Sequence, residues 1–110
     1  MQTQNSSFRS FRGAFTAIVT PFTASGMLDE AQLQAQIERQ VAGSINGIVP
    51  VGTTGESPTL DFDEHIRVIK CAVEYASKKM PVLAGTGANS TKEAIELTKA
   101  AEGVGADGSL

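Results

Sequence analysis

A chain of 110 residues, 41% hydrophobic and 19% charged, has the size of one small domain and the composition of a packed globular protein rather than a disordered one. Its formal net charge of −3 argues against nucleic acid or an anionic membrane as partner, because both attract basic patches, and no run approaches the roughly 20 apolar residues of a membrane span. Cys71 is the only cysteine, so no internal disulfide can form and a reducing compartment, the cytoplasm, is expected.

In chain order, residues 1–11 are polar, with Ser6, Ser7, Arg9 and Ser10, and lack the apolar segment of a secretion signal; they read as a flexible leader. Residues 12–110 read as the domain. The first strand is expected over residues 15–20 (Phe-Thr-Ala-Ile-Val-Thr), stopped by Pro21. Asp29 with Gln32 then resembles a capping box, Leu28 and Leu33 are placed as a hydrophobic staple, and Leu33, Ile37 and Val41 repeat at helical spacing up to Gly43.

A second strand is expected over residues 45–51, followed by a helix that opens on Asp61 and Glu64, with Ile66, Ile69, Val73 and Ala76 as its buried stripe and Lys78 and Lys79 at its end. Cys71 falls inside that helix among Val68, Ile69, Ala72 and Val73, where a thiol packs as a small apolar group. A third strand is expected over residues 81–84. A third helix opens on Ser90 and Glu93 and continues through Ala94, Leu97, Ala101 and Val104, and residues 105–110 look like the turn into a fourth strand.

Each strand is short and almost continuously apolar, as a strand covered on both faces should be. Strand starts recur at roughly 30 residues, the size of a βαβ unit. The fold class is therefore α/β with a parallel sheet, either doubly wound or closed into a barrel. In both architectures ligands gather at the C-terminal ends of the strands. The loop after the second strand, Val51-Gly-Thr-Thr-Gly-Glu-Ser57, sits there. Its two glycines allow close approach, and Thr53 and Thr54 supply adjacent hydroxyls and amides suited to a small carboxylate or a proton relay. A well-made β-to-α turn has the same composition, so both readings stay open. Neither a P-loop nor Gly-x-Gly-x-x-Gly is present, and no metal-ligand cluster appears, so neither metal nor organic cofactor is expected.

Thr20-Pro21 after the first strand, Val51-Gly-Thr-Thr-Gly-Glu-Ser57 after the second and Ala84-Gly-Thr-Gly-Ala-Asn89 after the third stand in one order, with Asp63-Glu64-His65 between the last two. Together they resemble the dihydrodipicolinate synthase branch of the pyruvate-dependent class I aldolase family, over residues 12–110. The resemblance implies that residues 12–110 are an incomplete (β/α)8 TIM barrel, about three βα units and the start of a fourth, since a whole barrel takes roughly 250 residues. It implies a lyase that condenses pyruvate with L-aspartate 4-semialdehyde in the diaminopimelate route to lysine, through a Schiff-base lysine. It assigns Thr53 to a proton relay and Thr54 to the pyruvate carboxylate. Ser57, Pro58, His65, Asn89 and Glu93 fall where some members bind L-lysine as an inhibitor, although Pro58 and Phe62 occupy positions that vary within the family. A homotetramer is implied for the complete protein.

Glu93 is also the capping partner of Ser90, His65 could serve only to satisfy backbone at a helix start, and Asn89 suits a turn in any case. Lys70, Lys78, Lys79, Lys92 and Lys99 all fall in expected helices or at their ends, as does Tyr75, the only tyrosine. The Schiff-base lysine and the relay tyrosines are thus not expected within these residues, and the 110-residue chain alone is expected to be inactive. Another pyruvate aldolase of the family, such as N-acetylneuraminate lyase or a keto-deoxy sugar-acid aldolase, and a non-catalytic remnant are the alternatives.

Overall fold

The computed structural model describes residues 11–52, 60–88 and 90–110. The expected leader lies almost entirely outside them. The elements alternate as expected: β1 (Phe15–Ala17), α1 (Glu30–Ala42), β2 (Gly47–Val49), α2 (Phe62–Ala76), β3 (Leu83–Ala84), α3 (Thr91–Gly103) and β4 (Gly108–Ser109).

Among the described residues, β1 to β4 pair with one another only in parallel. Thr16 faces Ile48 between β1 and β2, Ile48 faces Val82 in a bridge towards β3, and Leu83 faces Gly108 between β3 and β4. The spatial order therefore follows the chain order, and each helix is the crossover between neighbouring strands, as in a βαβ unit. The centre of the sheet is apolar, with Ile18, Ile48 and Val82 buried against Leu33 and Ile37 of α1 and Val68 and Ile69 of α2.

The helix starts follow from their caps. Asp29 accepts from the Gln32 amide at 3.1 Å and Ser90 from the Glu93 amide at 3.1 Å. At α2 the box closes in both directions: Asp61 accepts from the Glu64 amide, and the Glu64 carboxylate accepts from the Asp61 amide. Gly43 caps the end of α1 as expected. At the end of α2 two residues are left-handed, Ser77 with φ of 50° and Lys78 with φ of 60°.

The strands are shorter than the apolar runs, for identifiable reasons. Beyond Ala17, Ile18 still donates to Val49, while the backbone groups of Val19 are bonded to the side chain of Gln36. Of the expected second strand, Ile45 is spent on the turn out of α1, donating to Gln40, and Asn46 bonds Ala14 just ahead of the β1–β2 ladder. Val51 leaves the extended region altogether, at φ of 58°. The buried arc of α2 is also wider than the expected stripe. His65, Val68, Cys71 and Ala72 are buried along with Ile69 and Ala76, whereas Ile66 and Val73 are only partly covered. This helix lies between α1 and α3 and so is covered on its flanks as well as by the sheet.

Candidate active site at the strand ends

The chain leaves β1 through Thr20-Pro21, β2 through Val51-Gly52 and β3 through Gly85-Thr86, all at the same end of the sheet because the strands are parallel. Thr53, Thr54, Ser57 and Pro58 lie outside the described residues, and so does Asn89. The residues that launch those loops are described, and they are tightly built.

Val51 is 1% exposed and adopts the left-handed conformation, which is unfavourable for a β-branched side chain. Gly85 donates to the Pro50 carbonyl at 2.9 Å. A Cβ at Gly85 would run into the Val51 carbonyl and the Gly52 nitrogen. Glycine is required there for close approach of two backbones. The exits of β2 and β3 are consequently packed main chain against main chain.

His65, 3% exposed in the first turn of α2, holds the same corner from outside: its Nε2–H donates to the Gly85 carbonyl at 2.6 Å. The histidine therefore satisfies backbone, as one expectation had it, but backbone 20 residues away on another element. Thr86 is 4% exposed, and its amide donates to the Leu110 carbonyl at 3.2 Å. Thr98 Oγ1 lies 3.0 Å from Thr86 Oγ1 and 2.8 Å from the Ala94 carbonyl. The Thr98 hydroxyl thus ties Thr86 to α3.

Glu93 is exposed in the first turn of α3, where an acid suits the unpaired helix amides. Lys70 lies on α2, Lys78 and Lys79 follow it, and Lys92 and Lys99 lie on α3; all five are exposed. No lysine of the chain is on a strand. Tyr75 lies on α2, one turn after the buried Cys71, and burial is the main cause that pushes both groups above their ordinary values. Among the described residues, no group of three His, Cys, Asp or Glu could hold a metal ion, and no helix is long and apolar enough to cross a membrane. Gln36, Asn46 and the conformation of Val51 carried no sequence signal: polar helix and turn residues look alike whether or not their side chains bond a distant strand.

The sequence model of the dihydrodipicolinate synthetase family matches residues 10–110. A 4-hydroxy-tetrahydrodipicolinate synthase of Acidiphilium cryptum is 58% identical over 100 residues, which is 91% of this chain and 34% of the relative. One of Syntrophobacter fumaroxidans is 59% identical over the same shares of the two chains. Among solved structures, the chloride-inhibited dihydrodipicolinate synthase of Acinetobacter baumannii, complexed with pyruvate, superposes with a TM-score of 0.88 at 49% identity, covering 91% of this chain and 34% of that one. The chain thus spans about a third of the length of the relatives it matches.

Proposed function

The chain belongs to the dihydrodipicolinate synthetase family, and from that premise we propose that it is the N-terminal part of a (β/α)8-barrel lyase condensing pyruvate with L-aspartate 4-semialdehyde, with residues 12–110 as the incomplete barrel domain. The observation that carries the reading is the contact between Gly85 and Val51. It brings together the starts of two loops, after β2 and after β3, at the end of a parallel sheet where small ligands are received. Relatives identical to this chain at more than half of 100 aligned residues are named for that synthase activity.

In this reading Thr54 binds the pyruvate carboxylate through its hydroxyl and neighbouring amide, and Thr53 passes a proton between tyrosines supplied from elsewhere in the complete protein. The covalent anchor is a lysine outside these residues. Its neutral amine attacks the pyruvate carbonyl, water leaves, and the resulting iminium acidifies the methyl group, which gives up a proton to become the nucleophilic enamine carbon. A lysine in that role must be desolvated at a strand end, whereas all five lysines here are exposed on helices or beside them. The 110-residue chain by itself is inactive on this account. Ser57, Pro58, His65, Asn89 and Glu93 are the residues at which L-lysine would act as inhibitor, and the complete protein assembles as a homotetramer.

Borohydride trapping with pyruvate, read by intact mass, tests the reading. The complete protein gains one reduced pyruvyl adduct and the 110-residue chain gains none. An adduct on the short chain, or none on the complete protein, overturns it.

A further inference from the structure

We infer that Ala17 is a specificity-determining residue, whose small side chain leaves the room in which the keto acid sits; this rests on the functional reading above, in which the sheet closes into a barrel and one of its faces becomes the lumen. Packing tells the two faces apart. Ile18, Ile48, Val82 and Ala84 belong to the core cluster under the helices. Strand alternation turns Phe15 and Ala17, Gly47 and Val49, Leu83 and Gly85 the other way. Contacts on that face agree: a Cβ on Gly47 would run into the Phe15 ring, and one on Gly108 would lie 3.0 Å from Leu83 and 3.1 Å from Phe11. The Phe11 and Phe15 rings are 6.2 Å apart. Large side chains set over two glycines therefore fill the N-terminal end of this face, as the packed layers of a barrel interior require.

One step towards the C-terminal end the bulk gives way. β1 presents Ala17, paired with Val49 of β2, and Gly85 follows β3. The left-handed backbone of Val51 sends its side chain into the core cluster rather than onto the lumen face. Its carbonyl and the Gly52 nitrogen take the place that a Cβ on Gly85 would fill. The space over Gly85 is thus used by the peptide that leads to Thr53 and Thr54. Ala17 stands on the other side of Val49, and there a methyl group is all the side chain that β1 contributes. Val19, next on this face, lies past the ladder at the mouth of the sheet. A small keto acid held by Thr54 needs room below that loop, and Ala17 provides it.

Borohydride trapping on the complete protein gives the concentration of keto acid that half-saturates adduct formation. Ala17→Val narrows the space and is expected to raise that concentration for pyruvate about tenfold. Ala17→Gly widens it and is expected to lower the value for 2-oxobutanoate, one carbon longer, about fivefold relative to pyruvate. Ile18→Val trims the opposite face of the same strand, and is expected to lower the unfolding midpoint while leaving both values within about twofold. A folded Ala17→Val protein with pyruvate saturation unchanged, an Ala17→Gly protein with the ratio unchanged, or an Ile18→Val protein shifted as far as Ala17→Val overturns the assignment. If Ala17→Val does not fold, the ratio in Ala17→Gly decides. Failure of the unmodified protein to trap pyruvate would instead sink the functional reading.

Discussion

Asn46 and Ala14 close a ring of two hydrogen bonds: the Ala14 amide donates to Asn46 Oδ1 at 2.8 Å, and the Asn46 amide donates to the Ala14 carbonyl at 3.0 Å. Asp107 and Val82 repeat the arrangement, with the Val82 amide donating to Asp107 Oδ2 at 2.9 Å and the Asp107 amide to the Val82 carbonyl at 2.9 Å. In each case a glycine follows and stands opposite a large apolar residue, Gly47 against Phe15 and Gly108 against Leu83. A short polar side chain thus sets the register of β2 on β1 and of β4 on β3. Asn46→Ala and Asp107→Ala should each cost about 1 kcal/mol, and Asn46→Asp and Asp107→Asn, which keep the acceptor oxygen, should cost less. Urea midpoints of the four variants in the complete protein check the ranking; equal losses for Ala and for the acceptor-keeping changes would refute it.

The bond from His65 to Gly85 is buried, so removing the imidazole leaves a carbonyl without its partner and opens a void. His65→Ala should destabilise by about 2–4 kcal/mol. It should also loosen the exit of β3, seen as faster exchange of the Gly85 amide bonded to Pro50. Protection at Gly85 that survives the substitution would mean that the histidine fills space without holding the loop.

Val51 combines a left-handed backbone with a buried side chain. An L-residue in that conformation gives up about 1–2 kcal/mol, which glycine does not. Val51→Ala loses the packing and keeps the strain, whereas Val51→Gly loses the packing and relieves the strain. The glycine variant should therefore be no less stable than the alanine variant, the reverse of the usual order in extended chain. Thermal unfolding of the pair decides it: an alanine variant more stable by about 1 kcal/mol would reject the strain.

Burial pushes the Cys71 thiol above its ordinary range, because desolvation disfavours the thiolate. The folded pKa lies above the unfolded one, so the contribution to stability is complete below the ordinary thiol range and disappears as pH rises through the raised folded value. At neutral pH the folded protein should resist alkylation at Cys71 and react in urea. Equal alkylation rates with and without urea would contradict this.

What the sequence determined by itself was the alternation and the chemistry. Helix starts were legible because a cap acts within three residues, as with Asp61 and Glu64. Strands were legible as elements because sheets covered on both faces need continuous apolar runs, and the loop motifs pointed to the family before any coordinates. Tertiary structure alone decided where each strand stops, which arc of α2 is buried, and what His65 and Gln36 hold. What those two side chains hold depends on bonds between residues 17 and 20 positions apart. A hydrogen bond is set by position in space, and no local pattern records which distant carbonyl a polar side chain will meet.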